Sequence, residues 1–195
     1  MLKPPFYVVS DTHWYHKNII KYCGRPQDHE TMMITRWQQV VPWDATILHL
    51  GDLFFGGDEG YAKFYAKIAP RLTGKKYIIL GNHDKVGRDY EFLGFEVLDP
   101  FTTAYRGYQV SFDHYPKFLT EGEKQIHIHG HIHNHKYAHD EETRWGNINV
   151  SAEVINYRPH RITRLLNKEI RRRNQRQNYR NRPRGHKRKW VKNAG

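Results

Sequence analysis

Carboxylate and imidazole side chains recur in short clusters along this chain, and most of the clusters follow a run of apolar residues. They are Asp11-Thr12-His13, Gly51-Asp52, Gly81-Asn82-His83-Asp84, Asp113-His114 and Gly130-His131-Ile132-His133. Carboxylate oxygens, imidazole nitrogens and one amide are a ligand mixture that suits borderline divalent metals such as Mn, Fe, Zn or Ni. Cys23 is the only cysteine, so the sequence offers no thiolate cluster for a structural zinc site.

The mixture of ligands also has a consequence for charge. Two divalent cations held close together repel each other, and a bridging carboxylate, for which Asp52 is well placed, reduces that repulsion. Neutral imidazoles complete each coordination shell without cancelling all of the metal charge. The remaining charge can acidify a bound water and polarise a phosphoryl oxygen. Glycines beside Asp52, Asn82 and His131 allow the backbone to turn tightly around such a centre.

The elements that position these clusters follow from the hydrophobic pattern. Strands are predicted over residues 6–10, 45–50 and 76–80, alternating with helices over residues 17–23, 30–41 and 58–69, with Asp58 as the helix N-cap. Further strands are predicted over residues 96–98, 102–105, 109–112, 125–129 and 147–153. This order predicts an α/β sandwich of two mixed sheets flanked by helices. Functional groups in such sheets gather at the carboxyl ends of the strands.

The five clusters, in this order, resemble the complete metal-binding pattern of the calcineurin-like metallophosphoesterases. A small bacterial and phage branch of that family is similar in further stretches. These are Ser10-Asp11-Thr12-His13 with His16, Arg25-Pro26, His49-Leu50-Gly51-Asp52, His114-Tyr115-Pro116 and Asn149-Val150-Ser151. The resemblance covers roughly residues 5–160 and does not extend to the C-terminal tail.

The resemblance implies a role for each position. One metal would be held by Asp11, His13, Asp52 and His133, and the other by Asp52, Asn82, His114 and His131. His83 would face the substrate and assist the leaving group, while Asp84 would brace the loop or orient His83. A metal-bound hydroxide would attack the phosphate ester in line with the leaving oxygen.

Several side chains near the clusters keep two interpretations. His16 is a candidate for contact with the substrate or a metal-bound water. Arg25 is a candidate for a phosphate contact or a surface salt bridge. Trp14 and Tyr15 either flank a substrate base or pack in the core. His129 is expected behind the site, and His127, His135 and His139 are expected to be solvated or simple hydrogen-bonding partners. Core packing is predicted for Trp37, Phe54, Phe55, Phe64 and Tyr65.

The charge divides the chain into two parts. The net charge is +12, but residues 158–195 hold 15 Lys and Arg against one acid, Glu169, so the remainder of the chain is slightly acidic. This predicts a metallophosphoesterase domain over residues 1–160 and a basic C-terminal region over residues 161–195. In that region a helix is predicted from Ile162 to about Arg173, with a disordered tail beyond it. Such a tail binds nucleic-acid phosphates, or it only solubilises the protein.

The sequence therefore favours a phosphoesterase acting on nucleotides or nucleic acid, with no preference settled between monoesters and diesters. The alternatives are a protein phosphatase of the same fold, and a nucleic-acid-binding protein that works through its tail. The apolar run over residues 6–9 is too short for a signal peptide or membrane span. With one cysteine as well, we expect a cytoplasmic protein without a membrane partner. Its oligomeric state stays open.

Overall fold

The structure is a computed structural model that describes residues 2–134 and 146–180. Its strands are β1 Tyr7–Val9, β2 Thr46–His49, β3 Lys75–Ile78, β4 Phe95–Val97, β5 Phe101–Tyr105, β6 Tyr108–Phe112, β7 Gln125–His129, β8 Asn147–Asn149 and β9 His160–Arg161. Its α-helices are α1 Ile19–Cys23, α2 His29–Val40, α3 Gly57–Lys67 and α4 Ile162–Arg180, and a short 3-10 helix covers Ala69–Arg71.

The first sheet has the order β4-β3-β2-β1-β9. Neighbours from β1 to β4 are parallel, and β9 runs antiparallel to β1. The register pairs Val9 with His49 and His49 with Ile78. Strands β1, β2 and β3 therefore end side by side, and the loops that follow them leave the sheet at the same edge.

The second sheet has the order β5-β6-β7-β8. Strands β5 and β6 form an antiparallel hairpin. Its turn residues Arg106 and Gly107 both have positive φ, as a two-residue turn of type I′ requires. Strands β6, β7 and β8 are parallel. The loops after β6 and β7 consequently also leave their sheet at one edge.

Apolar side chains from both sheets form one core. Leu48 and Ile78 of the first sheet and Phe112 and Ile128 of the second are fully buried, and each such burial stabilises the fold by roughly 1.5–3 kcal/mol. The Phe6 and Phe112 rings meet across the two sheets at 5.4 Å between centroids. Beyond the strands, the Ser10 N–H donates to the Val150 carbonyl at 2.9 Å, which joins the two sheets beside the loop edge.

The predicted architecture of two mixed sheets flanked by helices is confirmed. Some boundaries were wrong. The strand predicted over residues 147–153 stops at Asn149, because the chain turns there, and the two-residue strand β9 was too short to leave a pattern. Asp58 lies in the first turn of α3, whose N-cap is Gly56.

Helix α4 extends to Arg180, whereas the sequence predicted disorder after about residue 173. Arginine and glutamine are good helix formers, and Glu169 pairs with Arg172 and Arg173 one turn further along. Ile162 and Leu166 are fully buried, so the start of α4 packs in the core. The division into two regions near residue 160 stays a prediction.

Parts of the sequence predictions concern residues outside the described ranges, namely His135, His139 and the tail beyond residue 180. Among the helices that the structure describes, none combines the length and the apolar character that crossing a bilayer requires.

Candidate metal centre

The loops that follow β1 and β2 stay hydrogen bonded to each other beyond the end of the sheet. The Asp11 N–H donates to the Gly51 carbonyl at 3.0 Å, and the His13 N–H donates to the Asp52 carbonyl at 3.0 Å. This continued pairing holds the two carboxylates and the imidazole in a fixed relation. The loop after β7 joins them, because the His131 N–H donates to the Asp11 carboxylate at 3.0 Å.

The backbone adopts an unusual conformation at most of these positions. Five of the seven predicted metal ligands have φ in the left-handed region, which non-glycine residues seldom adopt; they are Asp11, His13, Asp52, His131 and His133. Each such residue costs about 1–3 kcal/mol, and such residues cluster at functional sites. The strain is a structural sign of function that is independent of the residue types.

The first group of ligand atoms comes from Asp11, His13 and His133. One ligand atom from each lies within 4.8 Å of the others. The His13 and His133 rings stack at 5.1 Å between centroids, and His133 Nε2 lies 3.8 Å from Asp11 Oδ1. The three side chains face one small volume that a single cation can fill.

The second group comes from Asn82, His114 and His131. Asn82 Oδ1 lies 3.0 Å from His114 Nε2 and 2.9 Å from His131 Nδ1. The two ring nitrogens are 3.2 Å apart. His114 Nδ1 is hydrogen bonded to the Leu50 carbonyl at 2.7 Å, and because that carbonyl can only accept, Nδ1 carries the proton and Nε2 keeps its lone pair for this group.

Asp52 lies between the two groups. Its Oδ2 is 3.4 Å from His13 Nε2 in the first group and 3.6 Å from His114 Nε2 in the second. Its Oδ1 accepts a hydrogen bond from the His83 N–H at 2.9 Å. The carboxylate is thus fixed at one oxygen and directed towards both groups at the other, a geometry that fits the bridging role implied by the resemblance.

The buried polar atoms of this cluster fit bound cations. Both ring nitrogens of His13 are buried without a hydrogen-bond partner among the described residues, and burial, with the nearby His133, lowers the pKa of His13 far below its ordinary value. His13 therefore offers a neutral ring with a free lone pair. Burial raises the pKa of Asp11, which means that its charge lacks compensation that a cation would supply.

The surroundings of His133 favour positive charge in the same way. Burial lowers its pKa, but hydrogen bonds with Cys23 and Glu153 and the charge of Asp11 outweigh that effect and raise the pKa to about 10. A divalent ion that replaces the proton would be stabilised by the same acidic groups, and metal binding at imidazole releases protons in this way. The residues present therefore fit two divalent ions.

Glycine is required where two of the loops meet the ligands. A Cβ at Gly81 would collide with the Asp52 carboxylate, and a Cβ at Gly130 would collide with Ser10 and the Asp11 carboxylate. The glycines beside the ligand positions therefore serve close approach as well as turning.

Sequence reasoning missed Glu153 and gave Arg25 the wrong roles. Glu153 Oε1 accepts a hydrogen bond from His133 Nδ1 at 2.7 Å, which leaves Nε2 facing Asp11. Arg25 donates to Glu153 at 2.6 Å and to the carbonyls of Asp11 and Thr12 at 2.6 and 2.8 Å. Its side chain is fully buried, so the guanidinium is neither a substrate contact nor a surface salt bridge. No local pattern in the sequence pairs Arg25 with Glu153, because 128 positions separate them.

Asp84 joins the loops after β2 and β3. Its Oδ2 accepts hydrogen bonds from the Asp52 and Gly81 N–H groups at 2.7 and 2.8 Å, and its Oδ1 accepts one from the Leu53 N–H at 3.1 Å. Burial raises the pKa of Asp84 to about 6. Of the two predicted roles, this geometry supports the brace rather than orientation of the His83 ring.

The remaining histidines divide into exposed and buried ones. His83 is exposed and His16 is half-buried, and each ring centroid lies 5.4 Å from that of His13. His129 is buried with its Nδ1 near the Gly130 carbonyl at 2.8 Å. His127 is also buried rather than solvated, hydrogen bonded to Ser111 and to the Tyr115 carbonyl. Trp14 is buried as well, which excludes it as a surface for a substrate base.

The fold is an α/β sandwich of two sheets whose loops bring carboxylate and imidazole groups together in a candidate metal centre. A family model described as calcineurin-like phosphoesterase matches residues 4–192. The chain therefore belongs to the calcineurin-like phosphoesterase family.

Two proteins, from Methanocaldococcus jannaschii and from a mycobacterial phage, are similar to this chain in sequence. The uncharacterized protein MJ1445 of Methanocaldococcus jannaschii is 37% identical over 164 residues, covering 78% of this chain and 84% of the relative. The Gene 66 protein of Mycobacterium phage L5 is 34% identical over 79 residues, covering 39% of this chain and 38% of the relative.

Two solved structures are also similar. The protein of unknown function AQ665 from Aquifex aeolicus has a TM-score of 0.67 and 27% identity, covering 84% of this chain and 98% of that structure. The nuclease MPE from Pseudomonas putida has a TM-score of 0.45 and 18% identity, covering 65% of this chain and 60% of that structure.

Proposed function

We propose that this chain is a hydrolase of phosphate monoesters or diesters that works with two divalent ions. The ions would be held by Asp11, His13, Asp52 and His133 on one side and by Asp52, Asn82, His114 and His131 on the other. The observation that carries the proposal is the position of Asp52 Oδ2, between His13 Nε2 at 3.4 Å and His114 Nε2 at 3.6 Å. Two ions bound there would polarise the phosphoryl group and lower the pKa of water.

The protein supplies a proton donor at the rim of this centre. His83 is exposed, and its backbone is fixed by the hydrogen bond from its N–H to Asp52 Oδ1 at 2.9 Å. Its ring meets the ring of His13 edge-on, so it lies beside the first ligand group without belonging to it. We assign His83 the transfer of a proton to the leaving oxygen, a role that general acids fill in ester hydrolysis. Asp84 keeps that loop in place.

Nucleotides or nucleic acid are the substrate class that the charge distribution favours. Helix α4 carries Arg171, Arg172, Arg173 and Arg176, and further basic residues follow in the sequence. Residues 1–157 are slightly acidic, so polyanion attraction would come chiefly from this C-terminal region. A protein phosphatase of the same family remains the competing assignment, and the substrate panel below separates the two.

The proposal is tested by metal removal and replacement. Protein treated with a chelator and shown by elemental analysis to be metal-free should have lost its turnover of bis-para-nitrophenyl phosphate and para-nitrophenyl phosphate. Mn, Ni, Zn or Fe added back singly should restore it. Full turnover by the metal-free protein would refute the proposal.

A second panel addresses the substrate class. Mononucleotides, cyclic nucleotides and single-stranded DNA and RNA are compared with phosphoserine and phosphotyrosine peptides at equal metal loading. A kcat/KM at least tenfold higher for a nucleotide or nucleic-acid substrate supports the assignment. The reverse order would identify a protein phosphatase.

A further inference from the structure

Four rings form a continuous patch beside the first ligand group, and we call this patch the aromatic rim: His16, Tyr22, Phe55 and His83. Phe55 stacks on His16 with 4.2 Å between centroids and 21° between planes. The Tyr22 ring meets the His16 ring edge-on, with 6.1 Å between centroids. The His83 centroid lies 6.2 Å from that of Phe55.

The backbone fixes Phe55 in this position. The Trp14 N–H donates to the Leu53 carbonyl at 3.1 Å and the Phe55 N–H donates to the Trp14 carbonyl at 2.8 Å, so the pairing of the two loops continues past the metal ligands. Trp14 and Phe54, which pair with each other, turn their side chains into the core and are 0% and 4% exposed. Since successive side chains of an extended segment alternate in direction, Phe55 faces outward and is 42% exposed.

The aromatic rim lies next to the candidate metal centre, because two of its rings neighbour the ring of His13. The centroids of His16 and His83 are each 5.4 Å from that of His13, a proposed ligand of the first ion. A phosphate bound at the centre would therefore have its ester substituent beside these rings. The rim is a part of the substrate site rather than a remote surface.

The rim presents the flat faces of aromatic rings. Tyr22 and Phe55 are 60% and 42% exposed, which places two aromatic surfaces in water at no evident gain to folding. His16 Nδ1 is buried without a hydrogen-bond partner among the described residues. A ligand that matches this surface offers a planar ring and hydrogen-bonding edges.

We propose that the aromatic rim binds the nucleobase of the substrate by stacking on Phe55, while the phosphate lies at the metal centre. This inference rests on the proposed phosphoesterase function and adds to it the recognition of the base. Stacking on an aromatic side chain is tolerant of base identity because every base has a π-face. The rim therefore distinguishes nucleotide esters from other phosphate esters and accepts purines and pyrimidines alike.

The test compares esters that have the same kind of leaving oxygen, a primary 5′-oxygen of ribose. Adenosine 5′-monophosphate and ribose 5-phosphate, and likewise their methyl diesters, differ only at C1′, which carries adenine in one and a hydroxyl group in the other. The Mn-loaded wild type should have the higher kcat/KM for the adenosine compounds. Phe55→Leu should lower kcat/KM for the adenosine compounds by about 5- to 150-fold, the range for loss of one stacked base, and leave the ribose compounds within about twofold.

Phe92→Leu is the matched control. Phe92 is likewise exposed, at 56%, and likewise stacks on a neighbour, Tyr65, at 4.5 Å between centroids. It lies before β4, in a segment that supplies no proposed ligand. This variant should behave as the wild type on all four compounds. Equilibrium binding of adenosine 5′-monophosphate and ribose 5-phosphate is measured for the same three proteins.

The outcomes separate the rim from the proposed function. If the wild type hydrolyses the adenosine and ribose esters equally and Phe55→Leu has no effect, base binding by the rim is refuted while the phosphoesterase function stands. If the protein hydrolyses neither kind of ester but binds adenosine 5′-monophosphate in a way that depends on Phe55, base binding by the rim is supported and the phosphoesterase function is refuted. If Phe55→Leu lowers kcat/KM more for a phosphotyrosine peptide than for the nucleotide, the rim binds a peptide side chain, and the nucleobase proposal is refuted.

Discussion

Replacement of Glu153 by glutamine should weaken both the fold and the metal centre. Glu153 and Arg25 form a buried ion pair, with side chains 4% and 0% exposed, so water does not screen the interaction. Removing one partner of such a pair leaves the other charge unpaired and typically costs about 3–5 kcal/mol. Glutamine keeps the shape and one acceptor oxygen, so we expect the lower end, about 3 kcal/mol of the free energy of unfolding.

The expected change is large enough to measure directly. For a domain of this size, 3 kcal/mol corresponds to a fall in Tm of roughly 6–12 °C. The melting experiment is run with chelator present, so that metal linkage does not contribute. Asp58→Asn is the control, because Asp58 pairs with Arg88 but is 97% exposed, and its Tm should stay within about 2 °C of the wild type.

Metal affinity provides the second measurement. Because Glu153 fixes the tautomer of His133 through the 2.7 Å hydrogen bond, its loss should weaken metal binding about 10- to 100-fold, measured by competition with a chromophoric chelator. The double variant Arg25→Met with Glu153→Gln leaves neither member of the ion pair charged. Its free energy of unfolding should exceed the value expected from adding the two single effects by about 1 kcal/mol or more. Its metal affinity should stay low. Equal Tm and equal affinity for Glu153→Gln and Asp58→Asn would refute this reasoning.

Four further outcomes follow from the structure. Asp52→Asn should lose both ions, because Asp52 contacts both ligand groups, and elemental analysis that finds two tightly held ions would contradict the bridge. His83→Ala should keep its metals but lose about 10²–10⁴-fold in rate, with a smaller loss for para-nitrophenyl phosphate than for an alkyl phosphate; an equal loss for both speaks against proton transfer. Deletion of residues 181–195 should preserve turnover of a chromogenic ester but weaken single-stranded RNA binding at low salt, and unchanged RNA binding would reduce the tail to a solubilising extension. Glu169→Gln should lower stability at pH 7. Burial opposes the charge of Glu169, but hydrogen bonds from Arg172 and Arg173 lower its pKa on balance. The difference from wild type in urea unfolding should therefore begin to shrink as the pH falls below about 4, the ordinary carboxyl pKa, and disappear below the lower pKa of the folded protein. A difference that persists in acid would contradict that cause.

The architecture and the meeting of the polar clusters could be predicted because both follow from local patterns. Each cluster follows a strand, and parallel strands in register deliver their ends to the same edge. Asp11, Asp52 and His131 consequently lie together in the structure as the sequence led us to expect. Their assignment to particular ions stays a prediction.

The supporting contacts could not be predicted, because they join residues far apart in the sequence. Arg25 and Glu153 are separated by 128 positions, and neither residue type announces a partner at that distance. The prediction that Phe55 packs in the core was wrong for a different reason, since the side chain is 42% exposed. In the sequence Phe54-Phe55 either ring could face the core, and the pairing of Phe54 with Trp14 decides it. Tyr65, also expected in the core, is 45% exposed on α3.

The ligand positions have a consequence for how the protein reaches its native state. Asp11, Asp52 and Asn82 follow strands of the first sheet, whereas His114, His131 and His133 follow strands of the second. Neither group of ligands can form before the sheets have docked, because Asp11 and His131 meet across 120 positions of chain. Contacts of that sequence separation form slowly. Metal uptake during refolding would therefore be a late event. Its rate would be limited by the docking of the two sheets rather than by the diffusion of the ions.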